Sequence, residues 1–304
     1  MAFETLLKPR PPYSLALSAR MKSDATRFLR DGVLTLAFEA GGKPALARVR
    51  QLPDGPLEAR IEAVDHHDAL GTLRFVLALE DDHSPFLREF DTDPLLGERI
   101  RALRGLRPLR TATVAHALLK AVCGQLIQAK AARLLEAKLL RSASLSHGEL
   151  RLPPTRATFA SYAPAELVRA GLAARKAATL VRLCRTFDLE RLRSVPTAAA
   201  GRRIERERGL GPWSAGMVCL YGLGRFEHGL VGDLGLIKLC SALLGRRAEA
   251  EDTARLLEPY GDWAGLASVY LLAGFSKSNA HRNGFSATYP RRARSSSSAL
   301  ITRS

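Results

Sequence analysis

The hydrophobic period of this 304-residue chain changes once, near residue 105, and that change limits what the chain can fold into. Across residues 32–79 apolar side chains alternate with polar ones or come in short bursts: GVLTLAFEA, PALARVRQL, PLEARIEAV and LGTLRFVLAL, separated by GGKP, PDGP and HHDALG. A period of two places successive side chains on opposite faces, and the Gly/Pro/Asp clusters are turn formers, so these stretches predict hairpin-linked antiparallel strands. Residues 87–105 turn helical and acid-rich, and GLRP at 105–108 marks a boundary. Beyond it the period is 3.6. Val114, Ala117, Leu118, Ala121 and Val122 make one face, Ala131, Leu134, Leu135, Lys138 and Leu139 another, and further segments at 165–170, 176–187, 212–221, 234–244 and 266–273 follow. The fold class expected is α+β: a small antiparallel β-sheet/α domain over 1–108, then an all-helical domain over 109–275. The stretch 276–304 contains PRRARSSSS and lacks apolar periodicity, so it is expected to be a disordered basic tail. No internal repeat is visible.

Charge follows the same division. Lys and Arg number 46 against 30 Asp and Glu, a net of +16. Residues 1–100 hold 13 basic and 16 acidic side chains, whereas residues 101–304 hold 33 and 14. An excess of this size implies a polyanionic partner, and its distribution puts that partner on the helical part. Nothing near Met1 resembles a secretory leader and no apolar run approaches the roughly 18 residues of a membrane span, so a cytoplasmic protein without membrane contact is expected. Cysteines at 123, 184, 219 and 240 are too widely spaced for a CxxC metal or cluster site, and the histidines form no HExxH-like pair. Four reduced, mostly buried thiols, a loop or surface pair at His66 and His67, and no bound metal are expected.

The informative stretch is RGLGPWSAGMVCLYGLGRFEHGLVGDLGLIK at 208–238. Gly-Leu-Gly-Pro makes a good helix–helix turn, with glycine ending one helix and proline opening the next. It equally leaves no side chain between the backbone and an approaching phosphate, which can then meet free amides irrespective of base sequence. Asp233 has the same two readings. It precedes an amphipathic helix closed by Gly245, which suits an N-cap, and it is also a lone carboxylate held inside the basic domain.

The order hairpin, helix, glycine-containing connection, aspartate resembles the HhH-GPD superfamily of DNA glycosylases, and within it the DNA-3-methyladenine glycosylase II type. Further likenesses are PPYSLAL near the start, Gly124-Gln125-Leu126-Ile127, and Gly171-Leu172 followed by Lys176-Ala177, so that the resemblance covers about residues 8 to 275. It implies that Asp233 is the catalytic carboxylate and that Gly209 and Gly211 present amides to a DNA phosphate. It also implies that Leu126 fills the gap left by a flipped nucleotide, and that Gln125 and Trp213 line the base pocket. From the residues alone Leu126 reads equally as a core leucine, Gln125 as a solvated helix residue and Trp213 as packing. Family hairpins often hold a monovalent cation on main-chain carbonyls, which would fall near residues 205–210; ERERGLG is more charged than usual there. No other cofactor is implied. The partner implied is double-stranded DNA containing damaged bases, bound by a monomer.

The chemistry implied is base release by hydrolysis. Flipping costs a few kcal/mol and least at damaged pairs. As the base leaves, the sugar becomes oxocarbenium-like, and a carboxylate about 4 Å away contributes on the order of 4 kcal/mol at an effective dielectric near 20. An alkylated purine already carries positive charge and leaves without a second, acidic carboxyl. Trp213 stands where strand-cleaving members place a Schiff-base lysine, which implies a monofunctional enzyme. Met217 and Leu272 stand where a broad-specificity bacterial member has a tyrosine and a tryptophan, so 3-methyladenine is expected to be favoured over 7-methylguanine and hypoxanthine. The competing readings are a non-catalytic helix-hairpin-helix DNA- or damage-binding protein, against which Asp233 argues, and a glycosylase for another lesion.

Overall fold

The computed structural model describes residues 2–20 and 24–273; the basic tail expected from residue 276 lies outside the described residues. Strands β1 (Ala2–Leu7), β2 (Arg27–Arg30), β3 (Val33–Ala40), β4 (Lys43–Gln51) and β5 (Leu57–Glu62) form one antiparallel sheet in the order β1-β5-β4-β3-β2. The register follows from tight turns: Ala40 pairs with Lys43 across Gly41 and Gly42, whose φ of 56° and 69° suit glycine. That register collects Leu34, Leu36, Phe38, Val49, Leu57 and Ile61 on one face. There they bury against α1 (Leu15–Ala19) and α2 (His66–Val76) through Leu15, Ala69, Leu73 and Val76.

Helix α2 corrects one expectation. The run LGTLRFVLAL is helical where a strand is expected, and HHDALG is its beginning rather than a turn. Asp65 caps it, accepting from the Asp68 amide at 3.0 Å, and Ala69, Leu73 and Val76 recur at helical spacing toward the sheet. In an almost continuous apolar run that period is indistinguishable from a buried strand. His66 and His67 are exposed on its first turn. Two strands escape the sequence reading: β1 and β2 are short, and β1 is ordered by pairing with β5 rather than by a pattern of its own.

Helices α3 (Ser84–Glu89) and α4 (Gly97–Ala102) come from the stretch assigned to the first domain but share a core with the last helices: Phe86, Leu96 and Ile100 pack with Leu236, Leu266 and Tyr270. By core membership the chain leaves the sheet before residue 86, and Leu109 briefly returns to it. Next come α5 (Val114–Gly124), α6 (Ala129–Ala143), a minimal hairpin of β6 (Ser146–His147) and β7 (Leu150–Arg151), α7 (Arg156–Ala160), α8 (Pro164–Arg169), α9 (Ala174–Thr186) and α10 (Thr197–Glu205). Then α11 (Pro212–Met217) widens into a π-turn over Val218–Leu223, and α12 (Leu234–Leu244), α13 (Ala250–Leu257) and α14 (Ala264–Ala273) complete the described chain. Leu118, Val122, Leu139, Leu180, Ile204, Leu210 and Val218 form the central helical core, in which α5 is buried on nearly every side.

All four cysteines are free and buried; burial pushes Cys123, Cys184 and Cys219 up to about 12 and Cys240 to about 11, which leaves no thiolate nucleophile at neutral pH. Among the described residues no helix is long and apolar enough to cross a membrane.

Candidate active site

The turn between α10 and α11 is fastened by side chains from elsewhere. The Thr179 hydroxyl donates to the Arg208 carbonyl at 3.0 Å, and the Gln125 side-chain amide donates to the Gly209 carbonyl at 2.7 Å and to Ser214 Oγ at 3.1 Å. In a trans peptide the carbonyl and the following N–H point opposite ways. Thr179 therefore draws the Arg208 carbonyl inward and aims the Gly209 N–H outward from an exposed turn. The two glycines differ. Gly209 has φ +91°, a conformation other residues rarely take. Gly211 has an ordinary extended backbone (φ −116°), and a Cβ there would meet nothing within 4 Å, so within the protein the turn does not require its glycine. Of the carbonyls expected to face a monovalent cation, those of Glu207, Arg208 and Gly209 already accept from Leu210, Thr179 and Gln125, and a cation would have to share them.

The second exposed element is the link between α5 and α6. Leu126 is 88% exposed with φ +61°, so it is no core leucine. Gln125 before it is half-buried, and both hydrogen bonds from its amide nitrogen go to the hairpin and Ser214; the structure turns it toward the hairpin rather than leaving it solvated. Its carbonyl accepts from Lys176 Nζ at 2.8 Å.

Asp233 caps α12, with Oδ1 accepting from the amides of Gly235 at 2.7 Å and Leu236 at 3.4 Å. The cap uses one oxygen only. Oδ2 accepts from the indole N–H of Trp213 at 3.0 Å. The far edge of that indole lies on Gly124, where a Cβ would come within 2.6 Å of Cη2, so the ring is wedged between the end of α5 and the carboxylate. Leu272, from α14, reaches the backbone beside Asp233: a Cβ on Gly235 would lie 2.4 Å from Leu272 Cδ2. Met217, one turn beyond Trp213, lies half-buried on the same apolar cluster as Trp213, Val231 and Leu272. The structure thus brings Trp213 and Leu272 to Asp233 and puts Met217 on their cluster. It sets Gln125 at the hairpin and carries Leu126, Gly209 and Gly211 on the surface turns. Sequence reasoning gave no role to Gly124, Lys176, Thr179 or Ser214, because their contacts join positions 29 to 89 residues apart.

Among the described residues one other cluster gathers metal-type ligands: Asp24, His116 and Glu136, all with buried side chains. Lys120 Nζ lies 2.8 and 3.0 Å from the two Glu136 oxygens and 3.7 Å from Asp24, so the chain supplies its own cation there. Burial would raise the Asp24 and Glu136 carboxyls, but neighbouring charge outweighs it and holds both below their ordinary values: Arg27 and then Lys120 for Asp24, and Lys120 and then the His116 hydrogen bond for Glu136.

No family model matches the chain. A DNA-3-methyladenine glycosylase of Bacillus subtilis (strain 168) is 25% identical over 205 residues, 64% of this chain and 67% of that protein. The solved 3-methyladenine DNA-glycosylase of Archaeoglobus fulgidus superposes with a TM-score of 0.76 at 21% identity, covering 89% of this chain and 97% of its own. The Clostridium acetobutylicum 8-oxoguanine glycosylase/lyase, in complex with DNA, gives 0.73 at 16% identity, covering 90% and 96%. These structures share the α+β fold of the present chain from the sheet to α14.

Proposed function

Taking the chain as a helix-hairpin-helix DNA glycosylase in fold and motif order, we propose that it is a monofunctional enzyme of base excision repair that releases alkylated purines, 3-methyladenine foremost. The observation that carries the reading is the state of Asp233: a half-buried carboxylate beside an apolar cluster, held by three neutral N–H donors and, among the described residues, by no cation.

In this reading the amides of Gly209 and Gly211 meet a backbone phosphate and Leu126 enters the stack as the damaged nucleotide leaves it. Asp233 then faces C1′ of the sugar. As the N-glycosidic bond lengthens, the pair of electrons goes to the departing base, and positive charge grows on the sugar opposite the carboxylate. Trp213 holds Oδ2 through its N–H, so the carboxylate does not reorganise as charge develops. Water adds to C1′ and loses its proton, with Asp233 as acceptor. The cationic purine needs no acid to leave, which suits a site with one carboxylate. Tryptophan at 213 offers no amine for a Schiff base at that position, and in this reading the product is an abasic site in an intact strand. Met217 and Leu272 give the pocket apolar rather than π-rich walls; forgoing one or two cation–π interactions, each about 0.5–2 kcal/mol, narrows the range of cationic lesions. The reading needs no cofactor.

The test is base release from one duplex carrying 3-methyladenine, 7-methylguanine and hypoxanthine. With apolar walls in place of aromatic faces, 3-methyladenine is expected to leave at least about tenfold faster than the others, with no adduct trapped by borohydride. Equal rates would remove the lesion assignment, an adduct would remove the monofunctional one, and binding of damaged DNA without release of any base would make this a damage-binding protein.

A further inference from the structure

We propose that Lys176 is a positioning residue for nucleotide extrusion, its ammonium holding the end of α5 so that Leu126 stands out from the surface in a left-handed conformation. This rests on the reading of Leu126 as the residue that enters the DNA stack.

Leu126 is unfavourable twice over. A non-glycine residue at φ +61° strains the backbone, and a leucine that is 88% exposed forgoes burial. Such a residue persists where its surroundings over-determine it. Here they do so through Gln125. Its carbonyl is held by Lys176 Nζ at 2.8 Å, and its side chain is held by the Gly209 carbonyl and Ser214 Oγ. Fixing the residue before Leu126 at both its main chain and its side chain leaves the loop one direction of exit.

Both fastenings trace to α9. Lys176 lies in its first turn and grips the insertion loop; Thr179, three residues on and therefore on the same side, grips the hairpin through the Arg208 carbonyl. The half-buried ammonium also meets the carbonyl end of α5, where the helix dipole favours a cation. Its hydrogen bond is spent on the protein, unlike that of a lysine reaching for a phosphate. The loop that enters the stack and the turn that faces the backbone are thus set on one helix, and phosphate binding registers the wedge.

The experiment uses Lys176→Met and Lys176→Arg in the full chain, with 2-aminopurine placed beside a tetrahydrofuran abasic analogue to report extrusion. Loss of one hydrogen bond from a charged donor predicts an extrusion rate and a base-release kcat lower by about tenfold in Lys176→Met, with most of both restored by Lys176→Arg. The salt slope of binding to undamaged duplex stays as in the unaltered protein. A slope reduced by about one unit with extrusion unchanged would show Lys176 on a phosphate and overturn the proposal. Unchanged extrusion with an unchanged slope would overturn it too, since the loop then holds itself. Melting temperature checks that the Met variant is folded, and the Arg variant keeps the question open to refutation if it is not. Leu126→Ala separates the two levels: if it extrudes as fast as the unaltered protein, the insertion reading fails whatever Lys176 does.

Discussion

Helix α5 carries two carboxylate environments along one stripe. His116 and Lys120, in its first two turns, meet Asp24 and Glu136; Gly124, one further turn on, backs the Trp213 ring that holds Asp233. At the first, every carboxylate is neutralised: Glu136 by Lys120, with a further hydrogen bond to His116, and Asp24 by Arg27 and Lys120. The same holds for Asp81 with Arg110 at 2.5 Å and Asp252 with Arg246 and Arg255 at 2.8 and 2.5 Å. At the second, Asp233 has, among the described residues, only neutral donors, the amides of its own helix and an indole. Asp93 shares that neutral-donor environment, accepting from the Leu95 and Leu96 amides and the Tyr260 hydroxyl, so what sets Asp233 apart is its place beside Trp213 in the basic half of the chain. A carboxylate already paired with a cation has little to offer a developing one, whereas neutral N–H groups fix its position and leave its field uncancelled.

Removing the uncancelled charge is the hardest test of that contrast. Asp233→Asn keeps the cap, since asparagine serves as well there, and is expected to lose about a thousandfold in single-turnover base release, the equivalent of ~4 kcal/mol, while still binding damaged DNA. Turnover near that of the unaltered protein would return Asp233 to a purely capping role. The matching change at the other end, Glu136→Gln, takes from Lys120 the nearer of its two carboxylates and is expected to destabilise the fold by about 3 kcal/mol in urea titration, with base release per folded molecule unchanged. Because the Glu136 carboxyl is held below its ordinary value, its contribution is present above about pH 4.3 and is lost as pH falls through the lower folded value, so the two proteins converge in acid. A kcat defect in Glu136→Gln would mean that the two ends of α5 are not separate.

A smaller change sharpens the comparison at the active end. Trp213→Phe keeps an aromatic ring, though a shorter one whose edge draws back from Gly124, and removes the donor to Oδ2; a hydrogen bond to a charged group is worth about 2 kcal/mol, so kcat should fall about thirtyfold with affinity for abasic duplex unchanged. If the ring served as a stacking platform instead, the phenylalanine would keep its rate and alter the ratio among lesions. Smallest is Gly211→Val. The protein has open space for the side chain, so melting should be unaffected, while binding to any duplex weakens about tenfold as one charge-assisted hydrogen bond to phosphate is blocked. Unchanged affinity would make the turn an ordinary helix connection.

The sequence shows β3 to β5, the helical second half and the Gly-Leu-Gly turn, because each is written in a local period or a local backbone demand. It also offers two readings of Asp233, and the structure shows the cap on one oxygen while the other accepts from the Trp213 indole. What it hides is non-local. Lys120, His116 and Glu136 look like ordinary polar helix positions until α5 and α6 are packed together, and Glu136 becomes 2% exposed. Gln125 reads as either solvated or pocket-lining, and the approach of the hairpin, 84 residues later, is what engages its side-chain amide. Residues 70–79 mislead for a simpler reason, since an apolar run buried on one side satisfies both periods.

The fit of the Trp213 ring on the bare backbone of Gly124 also bears on how such a chain can change over generations. If the chain is the monofunctional enzyme proposed above, acquiring strand cleavage would call for an amine at position 213. That one exchange would strip the donor from Asp233 and withdraw the ring from α5, leaving an unfilled gap where the indole now lies, before any Schiff-base chemistry was in place. Any side chain at 124, conversely, would push the indole off its seat. The two positions can drift only together, and on the reading proposed above the intermediate on either route holds its carboxylate less firmly and packs its core less well.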